Sequence, residues 1–562
     1  MRFRVVAFAV LVGGGWAALA MSPDHPAVPP SRRPTEYDLI FRGGTVVDGT
    51  GQPRRRADVA VTGERIEAVG DLSAATARRV VDATGLVVAP GFIDMLGWSQ
   101  YTILVDNRGL SKVTQGITTE VTGEGWSPAP VNAATLREDS AQLAAWGLRV
   151  DWRDLDGYFR RLERSGLPFN LGTLVGASTL RLYVVGRDRR PPTPAELGAM
   201  VALVDTAMRQ GALGLGSSLI YEPAAYASTA ELVALARAAG AHGGFYASHI
   251  RDEGNGIRGA LAEALRIGRE AGVPVEIWHL KVTGQSRGRM RQIIGLLDSA
   301  RASGLRVGAN SYPYTASGRS LTASLPLWVR VGGPDSVVRR LRDPAVRARV
   351  RREVRAQTLG AQLVLAVLDS SLRRYQGRRL ADIAAEEGRH PADVLMDIVL
   401  ADHGDPNTSV AVFGMREDDV VAAIRQPWIG VGSDRGASAP DGPLAAQPPH
   451  PRAYGTFPRI LGRYVREQRV VSLETAVRKM TGVAADRFGL VERGYLRPGY
   501  FADITVFDPV TVVDRSTFEQ PHQLSDGMRY VMVNGRFTLD GGRPTAERPG
   551  RALRGPGWRA DR

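Results

Sequence analysis

The chain has 562 residues, of which 44% are hydrophobic and 23% charged, and its formal net charge at pH 7 is +14. A chain of this length can bury a large core, and its composition is that of a soluble globular protein. It contains no cysteine, which excludes disulfide bonds, thiolate nucleophiles, thiolate metal ligands and lipid attachment to cysteine.

Arginine supplies almost all of the positive charge, because lysine occurs only at Lys112, Lys281 and Lys479. The arginines are densest in residues 339–355, where Asp343 and Pro344 predict the N-cap and first turn of a helix. A solvated helix face explains such a run, and binding of nucleic acid or an anionic membrane is the alternative. We expect the first, and therefore no nucleic-acid partner.

The first 20 residues have the layout of a signal peptide. Arg2 and Arg4 precede an apolar stretch that ends in an A-x-A cleavage pattern at residues 18–20. This stretch is short and glycine-rich for a membrane-spanning helix. We therefore expect export to the periplasm or beyond, with no stable membrane association; tethering by an uncleaved segment is the alternative. Residues 21–36 are rich in proline, which is typical of a linker.

Short β-rich runs broken by glycine turns occupy residues 37–89 and return in residues 491–545. We expect these two ends of the chain to pair into one small β-sandwich beside a central domain. Residues 546–562 are rich in arginine, proline and glycine, and we expect them to form a flexible tail.

Between residues 90 and 490, strand-like apolar runs alternate with helical stretches. This alternation predicts an α/β fold, a (β/α)₈ TIM-like barrel. The spacing before the eighth strand is too long for one helix, so an inserted lid subdomain is expected at about 315–425. The eight candidate strands are VVAPGFID, ITTEVTG, FNLGTLVG, ALGLGSS, GFYASHI, VEIWHLKV, VGANSYPY and WIGVGSD.

Ionisable residues at the strand ends are candidates for catalysis, because barrel enzymes carry catalytic groups at the carboxyl ends of their strands. They are Glu124, His249, His279 and Asp434, so two of only eight histidines end consecutive strands. Two imidazoles and a carboxylate suit zinc, which leaves a fourth position for water. Asp434 can then accept the proton of that water and pass it to a leaving amine.

Each of these residues also has an ordinary structural interpretation. The histidines can be hydrogen-bonded structural residues, Glu124 can be a solvated loop carboxylate, and Asp434 can cap a helix. Lys281 lies two residues after His279, so strand alternation would put both side chains on one face. It binds either a substrate carboxylate or a partner in a buried ion pair.

Tyr312 stands at the end of the seventh candidate strand, in the segment SYPYTASG. Its hydroxyl can hydrogen-bond a substrate, and packing of its ring is the equal alternative. No phosphate-binding loop or dinucleotide fingerprint occurs in a strand–turn–helix context.

Together these segments resemble the D-aminoacylase branch, the N-acyl-D-amino-acid deacylases, of the amidohydrolase superfamily. The resemblance covers residues 37–550. The matching segments, which are specific to the branch only together, include VVAPGFID, QGITTEVTG, GALGLGSSLIYEP, YASHIRDE, IWHLKVTG, SYPYTASG, VGSDRG, HPRAYGTFPRILGRYVRE and RGYLRPGYFADITVFDP.

The resemblance implies a metal-bearing barrel with a β-sandwich and a lid. It implies that His249 and His279 hold the tightly bound zinc and that Asp434 serves as general base and acid. It also implies that Lys281 and Tyr312 hold the α-carboxylate of an N-acyl amino acid.

The chain departs from the family pattern at two places. The paired histidines of strand one are replaced by Leu96 and Trp98, neither of which can ligate zinc. The bridging cysteine corresponds to Glu124, and a carboxylate can replace a thiolate on zinc. In the D-aminoacylase pattern the strand-one pair serves the weaker site, so we expect one zinc per chain, held by Glu124, His249 and His279.

The expected activity is zinc-dependent hydrolysis of a small N-acyl-D-amino acid, with the preference for the D isomer resting on the resemblance alone. Two alternatives stay open. One is a dipeptidase or cyclic-amide hydrolase with the same site. The other is a catalytically inactive barrel that serves as a binding protein, for which the missing histidine pair is the support. The sequence does not predict the acyl group or the oligomeric state.

Overall fold

The structure, a computed structural model, describes residues 36–354, 356–405 and 407–560. The predicted signal peptide and nearly all of the predicted linker lie outside the described residues. None of the described helices is long and apolar enough to cross a membrane.

The strands are β1 (Tyr37–Val46), β2 (Arg55–Thr62), β3 (Arg65–Gly70), β4 (Ala77–Asp82), β5 (Val87–Pro90), β6 (Phe92–Asp94), β7 (Ile117–Thr122), β8 (Asn170–Thr173), β9 (Val175–Gly176), β10 (Gly214–Ser218), β11 (Phe245–His249), β12 (Val275–Ile277), β13 (Val307–Ser311), β14 (Ser317–Ser320), β15 (Gln362–Ala366), β16 (Ser409–Val412), β17 (Ile429–Val431), β18 (Ile504–Phe507), β19 (Met528–Val533), β20 (Arg536–Asp540), β21 (Arg543–Pro544) and β22 (Ala552–Leu553).

The α-helices are α1 (Ser99–Val105), α2 (Leu110–Val113), α3 (Ala133–Ala145), α4 (Leu155–Ser165), α5 (Ala177–Val184), α6 (Pro194–Gln210), α7 (Thr229–Gly240), α8 (Ile257–Ala271), α9 (Met290–Ala302), α10 (Leu327–Arg330), α11 (Pro334–Leu341), α12 (Pro344–Glu353), α13 (Ala356–Gly360), α14 (Leu380–Glu386), α15 (Pro391–Ala401), α16 (Glu417–Arg425), α17 (Arg452–Arg459), α18 (Leu473–Met480) and α19 (Gly482–Phe488). A π-helix, Ile460–Glu467, continues α17.

Both ends of the chain contribute to one nine-stranded sheet, in agreement with the prediction that they pair. Its order is β21-β20-β19-β18-β5-β1-β2-β3, with β4 beside β1, and the antiparallel pair β5–β18 joins the two ends. Phe41 and Val59 from the first part pack with Ile504 and Met532 from the second in one apolar cluster. The core of this sheet therefore depends on residues from both ends of the chain.

Eight parallel strands follow one another around the central domain, as the alternating pattern predicts. Sheets β6-β7-β8 and β9-β10-β11-β12-β13-β17 are joined where β8 runs into β9. The ring is completed by the Met95 amide, which donates to the Val431 oxygen after β17 (3.0 Å). Barrel strands such as β10 and β11 are buried along their whole length, as expected for strands covered on both faces.

The insertion over the barrel has its own antiparallel sheet, β14-β16-β15, and its own apolar core. Leu341, Leu380 and Leu395 are fully buried in that core. The insertion ends at β16, because α16 packs against α9 as a barrel helix. The predicted boundary at about 425 is therefore too late, because it places the barrel helix α16 in the insertion.

The arginine-rich segment forms α12, and the Asp343 carboxylate accepts a hydrogen bond from the Ala345 amide, as the N-cap prediction requires. Its arginines pair with acids nearby. Arg347 lies 2.8 Å from Asp397, and Arg349 lies 2.7 Å from Glu353. These contacts support the interpretation of the segment as a helix face within the lid.

The C-terminal segment is not a free tail, which corrects the prediction for residues 546–562 as far as residue 560. β22 pairs in parallel with β8 at the bottom of the barrel. The Gly550 amide donates to the Leu167 oxygen at 2.8 Å, and a Cβ on Gly550 would lie 2.2 Å from the Phe169 oxygen. Glycine lets the chain dock closely here, whereas composition alone indicates flexibility.

A buried ion cluster ties the first, second and eighth barrel strands together. The Lys112 ammonium lies 2.7 Å from Asp94, 3.0 Å from Glu120 and 2.8 Å from the Ser433 hydroxyl. The side chains of Lys112 and of both acids are fully buried. Loss of the ammonium would leave two buried carboxylates without their counter-charge.

We therefore expect Lys112→Met to destabilise the fold by about 3–5 kcal/mol, measured as a shift of the denaturant unfolding midpoint. The matched control is Arg266→Met, because the Arg266–Glu270 pair lies on the surface of α8 and exposed pairs contribute little. Equal midpoint shifts in the two variants would contradict the role of the buried cluster.

Candidate metal centre and active-site cavity

The end of β7 turns sharply, and this turn places Glu124 at the mouth of the barrel. Gly123 and Gly125 have φ angles of 102° and 76°, in the region that favours glycine. A Cβ on Gly123 would lie 2.6 Å from the Leu174 oxygen, and one on Gly125 would lie 2.6 Å from the Ser218 backbone nitrogen. The glycines are therefore required for the close approach of neighbouring strands on either side of Glu124.

Three of the predicted residues converge at this point. Glu124 Oε1 lies 2.6 Å from His249 Nδ1 and 3.1 Å from His279 Nε2, and those two nitrogens are 3.1 Å apart. All three side chains are buried. The carboxylate oxygen Oε2 of Glu124 is buried without a hydrogen-bond partner among the described residues.

The donor atoms of Glu124, His249 and His279 all lie within 4.8 Å of one another and form the one such group within the described ranges. Two imidazole nitrogens and a carboxylate oxygen match the donor set and the three-ligand pattern of catalytic zinc sites. The unpartnered Oε2 atom is also satisfied if a cation lies at the point of convergence. The residues present therefore fit a single zinc ion.

The electrostatics of the cluster favour positive charge at the same point. Burial would raise the pKa of Glu124, but His279 and His249 hold that pKa well below its usual value. Burial and Lys281 lower the pKa of His279, whereas Glu124 and Asp434 outweigh them and raise it to about 9. Metal binding would displace the proton that is held there.

Glu253 lies on the outer side of both imidazoles, and sequence reasoning missed it. Its Oε1 atom is 2.6 Å from Lys281 Nζ, 3.2 Å from His279 Nδ1 and 3.6 Å from His249 Nε2. At 3.2 Å the carboxylate can fix the orientation of the His279 ring, so that its Nε2 atom faces the metal position, whereas His249 Nε2 has no hydrogen-bond partner among the described residues. The sequence feature that could have identified Glu253 is its position four residues after His249.

Lys281 forms an ion pair with Glu253, and its Nζ atom is also 2.7 Å from His279 Nδ1. The two side chains meet, but not through strand alternation, because β12 ends at Ile277 and His279 has a φ angle of +36°. Strand alternation assumes extended backbone. Because His279 is left-handed, alternation does not predict where the side chains that follow it point. A substrate-binding role for Lys281 remains a prediction.

Asp434 follows β17 with a φ angle of +51° and is held by two donors. Its Oδ1 atom accepts a hydrogen bond from the Trp98 indole nitrogen at 3.1 Å, and its Oδ2 atom lies 2.9 Å from Arg452 Nη2. The Arg452 guanidinium also stacks over the Tyr312 ring, 4.5 Å from its centroid. The Tyr312 hydroxyl is buried and has no hydrogen-bond partner in the described part of the chain.

The two strand-one positions have separate roles. Leu96 is fully buried in an apolar cluster with Ile93 and Val121, so its side chain belongs to the barrel core. Trp98 lines the cavity and donates to Asp434. The chain thus offers an indole N–H, and no metal ligand, on the strand-one side of the site.

A cavity of about 1200 Å³ connects these groups with the lid. The barrel contributes Glu124, His279 and Asp434 to its walls, and the lid contributes Arg319 and Val412. A cavity of this size can enclose a small organic substrate. Residues that can ligate zinc, a carboxylate that is not among them and a substrate-sized cavity are the parts required for metal-assisted hydrolysis.

Comparisons with known proteins agree with this geometry. The profile of the amidohydrolase family matches residues 79–539. D-aminoacylase of Alcaligenes xylosoxydans xylosoxydans is 38% identical over 519 residues, which cover 92% of this chain and 97% of that protein. A structure of D-aminoacylase that addresses one-metal activation and second-metal attenuation of its binuclear centre is 38% identical, with a TM-score of 0.77; it covers 92% of this chain and 100% of its own.

A second solved structure is N-acyl-D-glutamate deacylase of Bordetella bronchiseptica, complexed with zinc and a phosphonate mimic of the tetrahedral intermediate. It is 36% identical, with a TM-score of 0.78, and covers 92% of this chain and 100% of its own. The chain therefore belongs to the amidohydrolase family and is an amidohydrolase with the TIM-barrel metallohydrolase fold. Within that family its place is in the D-aminoacylase branch, as the sequence predicts.

Proposed function

We propose that the protein is a zinc-dependent deacylase of N-acyl-D-amino acids. The observation that carries the proposal is the convergence of Glu124, His249 and His279 in the cavity that Asp434 also lines. The names of the similar proteins support the substrate class, since each of them acts on D-amino-acid derivatives. The expected products are a carboxylic acid and a free D-amino acid.

Glu124, His249 and His279 would hold the zinc, and Glu253 would orient the His279 ring from its other side. Zinc in such a site lowers the pKa of a water molecule and polarises the carbonyl oxygen of the scissile amide. Asp434 takes the proton of the attacking water and delivers it to the leaving nitrogen. The Trp98 N–H keeps the carboxylate of Asp434 turned toward the cavity during both transfers.

We propose that three groups bind the α-carboxylate of the substrate. Lys281 and Tyr312 are the predicted pair, and Arg452 joins them because its guanidinium packs on the Tyr312 ring. Arg452 also contacts Asp434. A substrate carboxylate bound to Arg452 would weaken that contact and leave the Asp434 carboxylate available to the attacking water.

We further propose that the site operates with one zinc ion. Leu96 and Trp98 supply no ligand, and the Trp98 indole occupies the side of Asp434 where a second ion would need a donor. A one-metal site agrees with the one-metal activation that is described for D-aminoacylase. Export through the signal-peptide layout of residues 1–20 is part of the same proposal.

The test is a substrate panel on the purified, zinc-loaded protein. N-acetyl-D-methionine should be hydrolysed, and its L isomer should be hydrolysed much more slowly. Dipeptides and hydantoins are included because they represent the alternative with the same site. Faster turnover of a dipeptide or a hydantoin than of every N-acyl-D-amino acid would overturn the proposal.

A further inference from the structure

The backbone at His279 departs from regular strand geometry and is held from both sides. Its φ angle of +36° lies in the left-handed region, which is costly for a residue other than glycine and persists only where the surroundings impose it. The Trp278 amide before it donates to the Ser248 oxygen of β11 at 2.9 Å. The Leu280 amide after it donates to the backbone oxygen of Asn310, on β13, at 2.7 Å.

The amide of His279 itself has a side chain as its acceptor. It donates to Asn310 Oδ1 at 2.9 Å, and both residues are buried. β12 ends at Ile277, which lies opposite Ala309 of β13. Beyond that point the Asn310 side chain supplies the acceptor that a buried backbone amide requires. One asparagine therefore bonds two successive amides, through its side chain and its main chain.

Asp434, the other left-handed residue of the site, does not depend on a side chain in this way. Its φ angle is +51°, and its amide donates to the Leu96 backbone oxygen at 2.7 Å. Substitution of the Leu96 side chain leaves that oxygen in place, whereas substitution of Asn310 removes the acceptor of His279. The hold on His279 can therefore be tested by mutation.

The barrel interior fixes which way the Asn310 amide group points. Its Nδ2 atom donates to Glu276 Oε1 at 3.5 Å, and Glu276 Oε2 lies 3.5 Å from Arg487 Nε. A Cβ on Gly308 would lie 2.2 Å from Arg487 Cζ, so glycine at this position lets the guanidinium reach the carboxylate. Because Nδ2 faces an acid, Oδ1 is left to face the backbone amide of His279.

We propose that Asn310 is a positioning residue of the metal centre, which holds the His279 backbone so that its imidazole faces Glu124 and His249 before zinc binds. This inference rests on the proposed function, in which His279 is a zinc ligand. Without the Oδ1 atom the His279 amide would be buried without a partner, which is costly, and the left-handed turn would relax. The ring would then leave the point where the three donor atoms converge, and the affinity for zinc would fall.

Two substitutions of similar size separate the acceptor from the packing at this position. Asn310→Leu keeps the volume and removes the acceptor, whereas Asn310→Asp keeps both the volume and Oδ1. In Asn310→Asp a proton shared with Glu276 replaces the Nδ2 hydrogen, since two carboxyl groups this close do not both ionise. Zinc affinity, measured by competition with a chelator, should fall about 10–100-fold in Asn310→Leu. In Asn310→Asp it should stay close to the wild-type value.

The matched control is Asn170→Leu, at a buried asparagine that begins β8, away from the mouth of the barrel. Asn170 Oδ1 accepts from Asn534 Nδ2 at 2.9 Å and from the Arg551 amide at 3.1 Å. This substitution should lower the unfolding midpoint and leave zinc affinity unchanged. The absorption spectrum of the cobalt-substituted protein reports the geometry of the ligands, and it should change in Asn310→Leu but not in the control.

Amide hydrogen exchange in the zinc-free wild type tests the same inference without a substitution. The His279 amide should exchange as slowly as the amides of β12, because its hydrogen bond to Asn310 is present before the metal. Fast exchange there would overturn the inference. Wild-type zinc affinity in Asn310→Leu, or an equal loss of affinity in Asn170→Leu, would overturn it as well.

Failure of the proposed function gives a different result. A wild-type protein that binds zinc but hydrolyses no N-acyl-D-amino acid would contradict the substrate class and leave the role of Asn310 intact. A wild-type protein that binds no zinc would contradict both.

Discussion

Replacement of Asp434 by asparagine is expected to lower kcat by about 10²–10⁴-fold while the protein keeps its fold and its zinc. Asparagine has the same shape, and its amide oxygen can still accept from the Trp98 indole. It cannot take the proton of the attacking water. Steady-state kinetics, zinc content and the unfolding midpoint of the variant check the three parts of the expectation.

The matched control is Asp139→Asn, because Asp139 lines the same cavity on the side of α3. It removes the same functional group from the same cavity without changing the zinc ligands or Arg452. We expect its kcat to stay close to that of the wild type. Unchanged activity in Asp434→Asn, or an equal loss in both variants, would refute the proton-transfer role of Asp434.

Replacement of Glu124 by glutamine is expected to abolish stable zinc binding and, with it, activity. The amide cannot supply the charged donor that balances the metal between His249 and His279. The loss of affinity should exceed the roughly 10–100-fold that is typical when an outer hydrogen bond to a ligand is removed. Added zinc should raise the unfolding midpoint of the wild type, because a ligand that binds the native state stabilises it. It should not raise the midpoint of the variant, because the variant does not bind zinc.

Glu222→Gln is the control for this variant, since Glu222 is a cavity carboxylate that pairs with Arg330. It should keep full zinc content. Normal zinc content and activity in Glu124→Gln would show that this carboxylate does not hold the metal, and the replacement of the family cysteine would then need another explanation.

The site residues at the strand ends could be predicted from the pattern of apolar runs and the geometry of a barrel. The apolar runs give the eight barrel strands, and the barrel brings their carboxyl ends together. Glu124 and His249 thus meet in the structure although they are 125 residues apart in the chain. The prediction that His279 joins them holds, although β12 ends two residues earlier.

The remaining site residues could not be predicted because no periodic pattern marks them. Glu253 lies in a loop, and its contact with Lys281 depends on the left-handed backbone of His279. Arg452 stands 18 positions after Asp434 in sequence, and only the fold brings the two together. Trp98 stands where the family has a metal-binding histidine, and its hydrogen bond to Asp434 gives this position on strand one a defined contact.

A metal count tests whether this amidohydrolase works with one zinc ion. The full-length protein would be purified without chelators, dialysed against metal-free buffer and measured by elemental analysis against its concentration. We predict one zinc per chain, retained through dialysis. Two tightly bound metal ions per chain would contradict the one-metal site, and the absence of any bound metal would contradict the zinc centre itself.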